Sequence, residues 1–92
     1  MKGDIYTADL RYTIGGNYTH WYPIDGNNCD SVAEAREVAQ TWIRTHVEDE
    51  TYADELCVLA SVLDVGDVLR VDECAGLNSP HELRIYAQEI EV

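Results

Sequence analysis

Three cysteines, Cys29, Cys57 and Cys74, and three histidines, His20, His46 and His81, are the residues of this 92-residue chain best suited to metal or nucleophilic chemistry. Zinc sites draw on closely spaced ligands, such as a near pair of Cys or two His at i and i+4 of a helix. None of the six residues is spaced that way, so the sequence predicts no metal site. A Cys–His nucleophilic pair needs an exposed thiol of lowered pKa beside an oriented base. Cys57 lies in an apolar run with acidic neighbours, which push a thiol pKa up. Cys29 precedes a predicted helix, whose N-terminus favours a thiolate, and is the best candidate for a reactive thiol even though Asp30 opposes it. The expectation is a non-catalytic protein without a cofactor.

Acidic residues dominate the remaining chemistry. Eighteen Asp and Glu stand against six Lys and Arg, a net charge of -12. With so many acids, two close together do not single out an acid–base pair or a magnesium site. Asp64-Val65-Gly66-Asp67 is too short for a calcium loop. Gly15-Gly16 joins two predicted strands and does not lead into a helix, so it is no phosphate cradle. Lys2, Arg11, Arg36, Arg44, Arg70 and Arg84 are scattered along the chain and give no basic patch. Direct binding of nucleic acid or of an anionic membrane is therefore disfavoured, whereas basic surfaces, including those that hold DNA or RNA, should attract the protein. The odd cysteine count does not suggest a secreted disulfide framework, and no apolar leader or membrane span is evident. These features predict a cytoplasmic protein with one domain over residues 1–92.

The elements follow from periodicity. Tyr6, Ala8, Leu10, Tyr12 and Ile14 alternate with Thr7, Asp9, Arg11 and Thr13, as in a half-buried strand. Tyr18, His20, Tyr22 and Ile24 alternate likewise. A three-residue loop, Gly15-Gly16-Asn17, would pair Ile14 with Tyr18, Tyr12 with His20, Leu10 with Tyr22 and, on the other face, Arg11 with Trp21. Ser31 and Glu34 form a capping-box pattern before a helix with Val32, Ala35, Val38, Ala39, Trp42, Ile43 and Val47 on its apolar stripe. Leu56 to Leu63 is short and apolar and predicts a buried strand. It would form a hairpin with residues 68–73, placing Cys57 opposite Cys74 as a reduced cross-strand pair. Leu83 to Val92 predicts a last strand. The sum is an α+β two-layer sandwich, a mostly antiparallel sheet with one helix on a face, in the order β-β-α-β-β-β.

On this reading Glu48, Asp49, Glu50, Asp54 and Glu55 crowd the C-terminus of the only helix, where each acid costs about 0.3–1 kcal/mol. Stability would not explain them, so they point to a partner. With Asp64 and Asp67 they form the candidate binding surface for a basic, nucleic-acid-binding protein, with Arg11, Trp21 and Tyr52 as flanking contact residues. In size, acidity and single-domain layout the chain resembles the small phage- or mobile-element-encoded inhibitors of bacterial defence, the anti-CRISPR and anti-restriction proteins, several of which imitate nucleic acid in charge. That resemblance implies an inhibitor of the DNA-mimic kind and assigns no residue. Two alternatives use the same residues: a solvated or salt-adapted acidic surface, and a homodimer or assembly module built on the last strand or the Trp21 face.

Overall fold

A computed structural model describes residues 2–72 and 79–91 and shows a mixed α+β fold, a five-stranded antiparallel sheet with two helices. The strands are β1 (Lys2–Ile14), β2 (Asn17–Tyr18), β3 (Tyr22–Pro23), β4 (Val68–Val71) and β5 (His81–Glu91); the helices are α1 (Val32–His46) and α2 (Glu50–Ala60). The sheet runs β2-β1-β5-β4, with β3 also on β1. β1 and β5 form its long central pair, with Ala8 opposite Ile85 and Leu10 opposite Leu83. Leu69 of β4 extends the second row. These even-numbered β1 residues and their partners face the helices, because strand neighbours alternate between faces.

Ser31 caps α1 by accepting from the Glu34 backbone at 3.2 Å, and Glu34 Oε2 reaches back to the Asp30 amide at 3.0 Å, completing the expected capping box. Ala35, Ala39, Trp42 and Ile43 form the buried stripe. Four buried alanines, Ala35, Ala39, Ala53 and Ala60, let both helices approach their neighbours closely, while Trp42 fills the open end of the sandwich. There Trp42 packs against His81 and His46, and His81 stacks on Tyr12.

Residues 56–63 do not form a strand. Leu56 to Ala60 belong to α2, whose buried positions Ala53, Leu56, Cys57 and Ala60 recur at helical spacing. Val58, Leu59 and Val62 made the run look uniformly apolar, yet they are 66%, 52% and 67% exposed. The partner of β4 is β5, not this segment. Cys57 therefore sits on a helix, its thiol directed at the Gln40 carbonyl at 3.7 Å, and not in a cross-strand pair; Cys74 lies outside the described residues.

The first hairpin also differs from expectation near its turn. Thr13 pairs with Tyr18 and Ile14 with Asn17, closing a two-residue Gly15-Gly16 turn in which both glycines have positive φ, 59° and 85°. That conformation matches strand twist and is the favoured short hairpin. Further from the turn Leu10 pairs with Tyr22 as expected, so one extra residue is taken up between Thr19 and Tyr22. Tyr12 accepts from the Thr19 amide at 2.8 Å, and His20 is exposed rather than on the strand face.

The chain then covers the β1 edge. Asn27 imitates a strand neighbour, its Nδ2 donating to Ala8 O at 3.0 Å and its Oδ1 accepting from Ala8 N at 3.1 Å. Cys29 and Tyr6 exchange two backbone hydrogen bonds of 2.8 and 3.0 Å. An edge covered this way is closed to strand addition. The last strand is not an edge over His81–Arg84, since β1 and β4 flank it.

Candidate functional site

The second helix changes the meaning of the acidic stretch. Asp49 is the N-cap of α2, accepting from the Tyr52 amide at 2.9 Å, and Glu50 lies in the first turn. Acids at a helix N-terminus meet its partial positive charge and stabilise it. Asp49 and Glu50 thus have a structural reason to be acidic, and the local cost expected at a helix C-terminus does not arise. Glu48 and Glu55 are exposed, and neither takes part in an ion pair among the described residues.

Asp54 is paired with Arg44 at 3.0 Å. Asp64 is paired with Arg36 at 3.1 Å, and Arg36 Nε also donates to Leu63 O at 2.8 Å, clamping the turn after α2 onto α1. Asp67 accepts from the Asp64 amide at 3.3 Å, so these two acids do share one turn. Tyr52 is half-buried against the core, and its hydroxyl accepts from the Asp72 amide at 3.2 Å. It ties α2 to the end of β4.

Charge is divided between the two layers. Residues 24–67, which include both helices, hold eleven of the 18 acids but only two of the six Lys and Arg. Along α2 the exposed positions Glu55, Val58 and Leu59 fall at spacings of three and four, and exposed Val62 follows in the turn after the helix. An apolar stripe thereby lies amid acids, with Glu55 at one end and Asp64 and Asp67 just beyond the other. Reading residues 56–63 as a strand hid this feature; helical spacing of the buried residues was the signal that would have found it.

Arg11 and Trp21 lie elsewhere, on the sheet face turned away from the helices. The Arg11–Trp21 contact expected from register forms, with the guanidinium carbon 4.5 Å from the ring centre. Arg84 approaches the same ring at 4.5 Å, Arg11 also lies over Tyr18 at 4.4 Å, and Arg84 over Tyr86 at 4.6 Å. Pairing across β1, β5 and β4 gathers Arg11, Arg84 and Arg70, which are far apart in sequence. These three arginines are therefore neighbours in space, while Arg36 and Arg44 stay apart on α1. Each holds a carboxylate: Arg11 with Glu82 at 2.6 Å, Arg84 with Asp9 at 3.0 Å and Arg70 with Asp72 at 2.9 Å. This face is charge-balanced and rich in Trp, Tyr and Arg.

Cys29 is buried, and its thiol pKa is pushed up by that burial, then by the nearby Glu34 and Asp30 carboxylates. The shift runs against the lowering that a helix N-terminus would give, and in the direction expected of Asp30. Cys57 is likewise raised, first by burial. Cys29 lines a cleft of about 500 Å³ between the Ile24–Gly26 turn and α1. Among the described residues no group of three or more His, Cys, Asp or Glu is arranged to hold a metal ion, and no helix is long and apolar enough to cross a membrane. No protein-family model matches the chain, and comparison with curated proteins and with solved structures finds no match either.

Proposed function

We propose that this protein is a non-catalytic binding module that docks its helical layer on a basic, nucleic-acid-binding protein and occupies the surface meant for DNA or RNA. The observation that carries the reading is the apolar patch of Val58 and Leu59 on α2 with Val62 in the turn after it, exposed and set among acids. Protein interfaces concentrate affinity in a desolvated apolar centre inside a polar rim. A rim of carboxylates selects a basic partner and speeds encounter with it. A surface that was merely solvated would not need the apolar centre. The setting that best fits such a module is the inhibition of bacterial defence by phage or mobile elements, in the manner of DNA mimics.

The test is recovery of the partner from nuclease-treated bacterial lysate on immobilised protein, followed by competition with DNA and RNA. The reading expects a nucleic-acid-binding protein that nucleic acid displaces and that a Glu48→Lys, Glu55→Lys variant no longer retains. Recovery that is unaffected by both nucleic acid and the charge reversals would overturn it.

A second reading rests on the opposite face. The Trp21, Tyr18 and Tyr86 rings with Arg11 and Arg84 make a charge-balanced surface on an otherwise acidic molecule, where two copies can meet with least repulsion. A homodimer formed there would leave both acidic layers outward. Sedimentation across a range of concentrations, with Trp21→Ala as the control, distinguishes monomer from dimer.

A further inference from the structure

We propose that the cleft between the Ile24–Cys29 segment and α1 binds a small organic cation that carries an apolar or aromatic body. Its volume, about 500 Å³, lies within the range of small-molecule sites and far exceeds one lysine side chain. The inner wall is apolar, formed by Ile24, Val38 and Trp42 with the thiol of Cys29. Three acids, Asp25, Glu34 and Glu37, line the cleft beside the uncharged Asn27, Thr41 and Thr45 and the imidazole of His46, and no Lys or Arg does. Glu34 uses one oxygen in the α1 capping box, whereas Asp25 and Glu37 make no side-chain hydrogen bond or ion pair among the described residues.

The local field agrees with that assignment. Burial is the main cause of the raised Cys29 thiol pKa, and the Glu34 and Asp30 carboxylates raise it further; those two carboxylates also favour a positive group placed beside them. Apolar walls supply affinity for the body of the ligand, and the carboxylates fix its charged end. The site is separate from the α2 stripe, so it stands or falls independently of the function proposed above.

The experiment is an amide NMR titration of the full chain with phenethylammonium, with phenethyl alcohol as the neutral analogue and phenylpropionate as the anionic one. Saturable shifts at residues 24–29 and along α1, including the Trp42 indole, are expected for the cation only. Glu37→Gln and Asp25→Asn should each weaken it about 2- to 5-fold, the factor that one partly exposed charge contact supplies. Asn tolerates the left-handed backbone of Asp25, whose φ is 52°, so this variant keeps its fold. Glu55→Lys should leave amine binding unchanged while it impairs capture of the protein partner, which separates the two proposals. Equal binding of the neutral or anionic analogue, tighter binding of acetyl-lysine amide than of phenethylammonium, or shifts spread over the acidic surface without saturation would overturn the proposal.

Discussion

The carboxylate of Asp9, only 4% exposed, accepts from Arg84 Nε at 3.0 Å across the central strand pair, on the sheet face away from the helices. Thr7 completes the arrangement by donating to the other Asp9 oxygen at 2.8 Å. Asp9 is thus a buried acid with both oxygens engaged, and Arg84 is fixed beneath the Trp21 and Tyr86 rings. Removing one member of a buried ion pair leaves the other desolvated and unmatched. Asp9→Ala should destabilise the fold by about 3 kcal/mol, read as a lower midpoint in urea unfolding, whereas Glu82→Ala, whose partner Arg11 is more open to water, should cost about 1 kcal/mol.

Asp49 and its neighbours should respond differently to the same mutation. Asp49→Ala removes the α2 cap and should cost about 1 kcal/mol in thermal or urea unfolding, with Asp49→Asn close to neutral. Glu48→Gln makes no such loss, because no cap or ion pair among the described residues depends on it. Charge-reversal tests of binding are therefore made at Glu48 and Glu55, not at Asp49 or at Glu50 in the first turn of α2.

Polar substitution of the α2 stripe should separate binding from folding. Val58→Ser, Leu59→Ser and Val62→Ser change positions that are at least half exposed and should alter stability by less than about 1 kcal/mol each. Combined, they should reduce partner binding at least 10-fold, measured by calorimetry once the partner is in hand. Leu56→Ser, one turn away on the buried side, should instead unfold or strongly destabilise the chain.

The buried thiols predict a loss of stability at alkaline pH. Cys29 and Cys57 both have pKa values above the ordinary 9.0, mainly because burial penalises the thiolate. Near pH 9 the unfolded chain releases these protons while the folded chain keeps them, so their contribution is complete below that pH and declines as pH rises through the folded-state values. Urea midpoints at pH 7.5, 9 and 10 should fall more steeply for the native chain than for a Cys29→Ala, Cys57→Ala variant. Alkylation of both thiols at pH 8 should be slow until urea is added.

The sequence by itself determined the elements whose pattern admits one interpretation: the alternation of β1, the capped α1 with its Ala35, Ala39, Trp42 and Ile43 stripe, the presence of a turn after Ile14, though not its two-residue length, and the α+β class. It also placed Arg11 beside Trp21, because strand register carries that pair. Tertiary structure decided the rest. Leu56 to Leu63 carries apolar residues on both of its sides, so its composition did not say which side was covered; packing of Ala53, Leu56, Cys57 and Ala60 against the core made its first five residues the end of a helix and left Val58, Leu59 and, in the turn beyond, Val62 outside. That same choice turned the acids before it from a helix end into a helix beginning. Arg70 and Arg84 joined Arg11 only through pairing of strands distant in sequence, and the cleft beside Trp42 exists only where the Ile24–Cys29 segment passes α1. Local spacing records which residues share a face, whereas long-range contacts determine what that face meets.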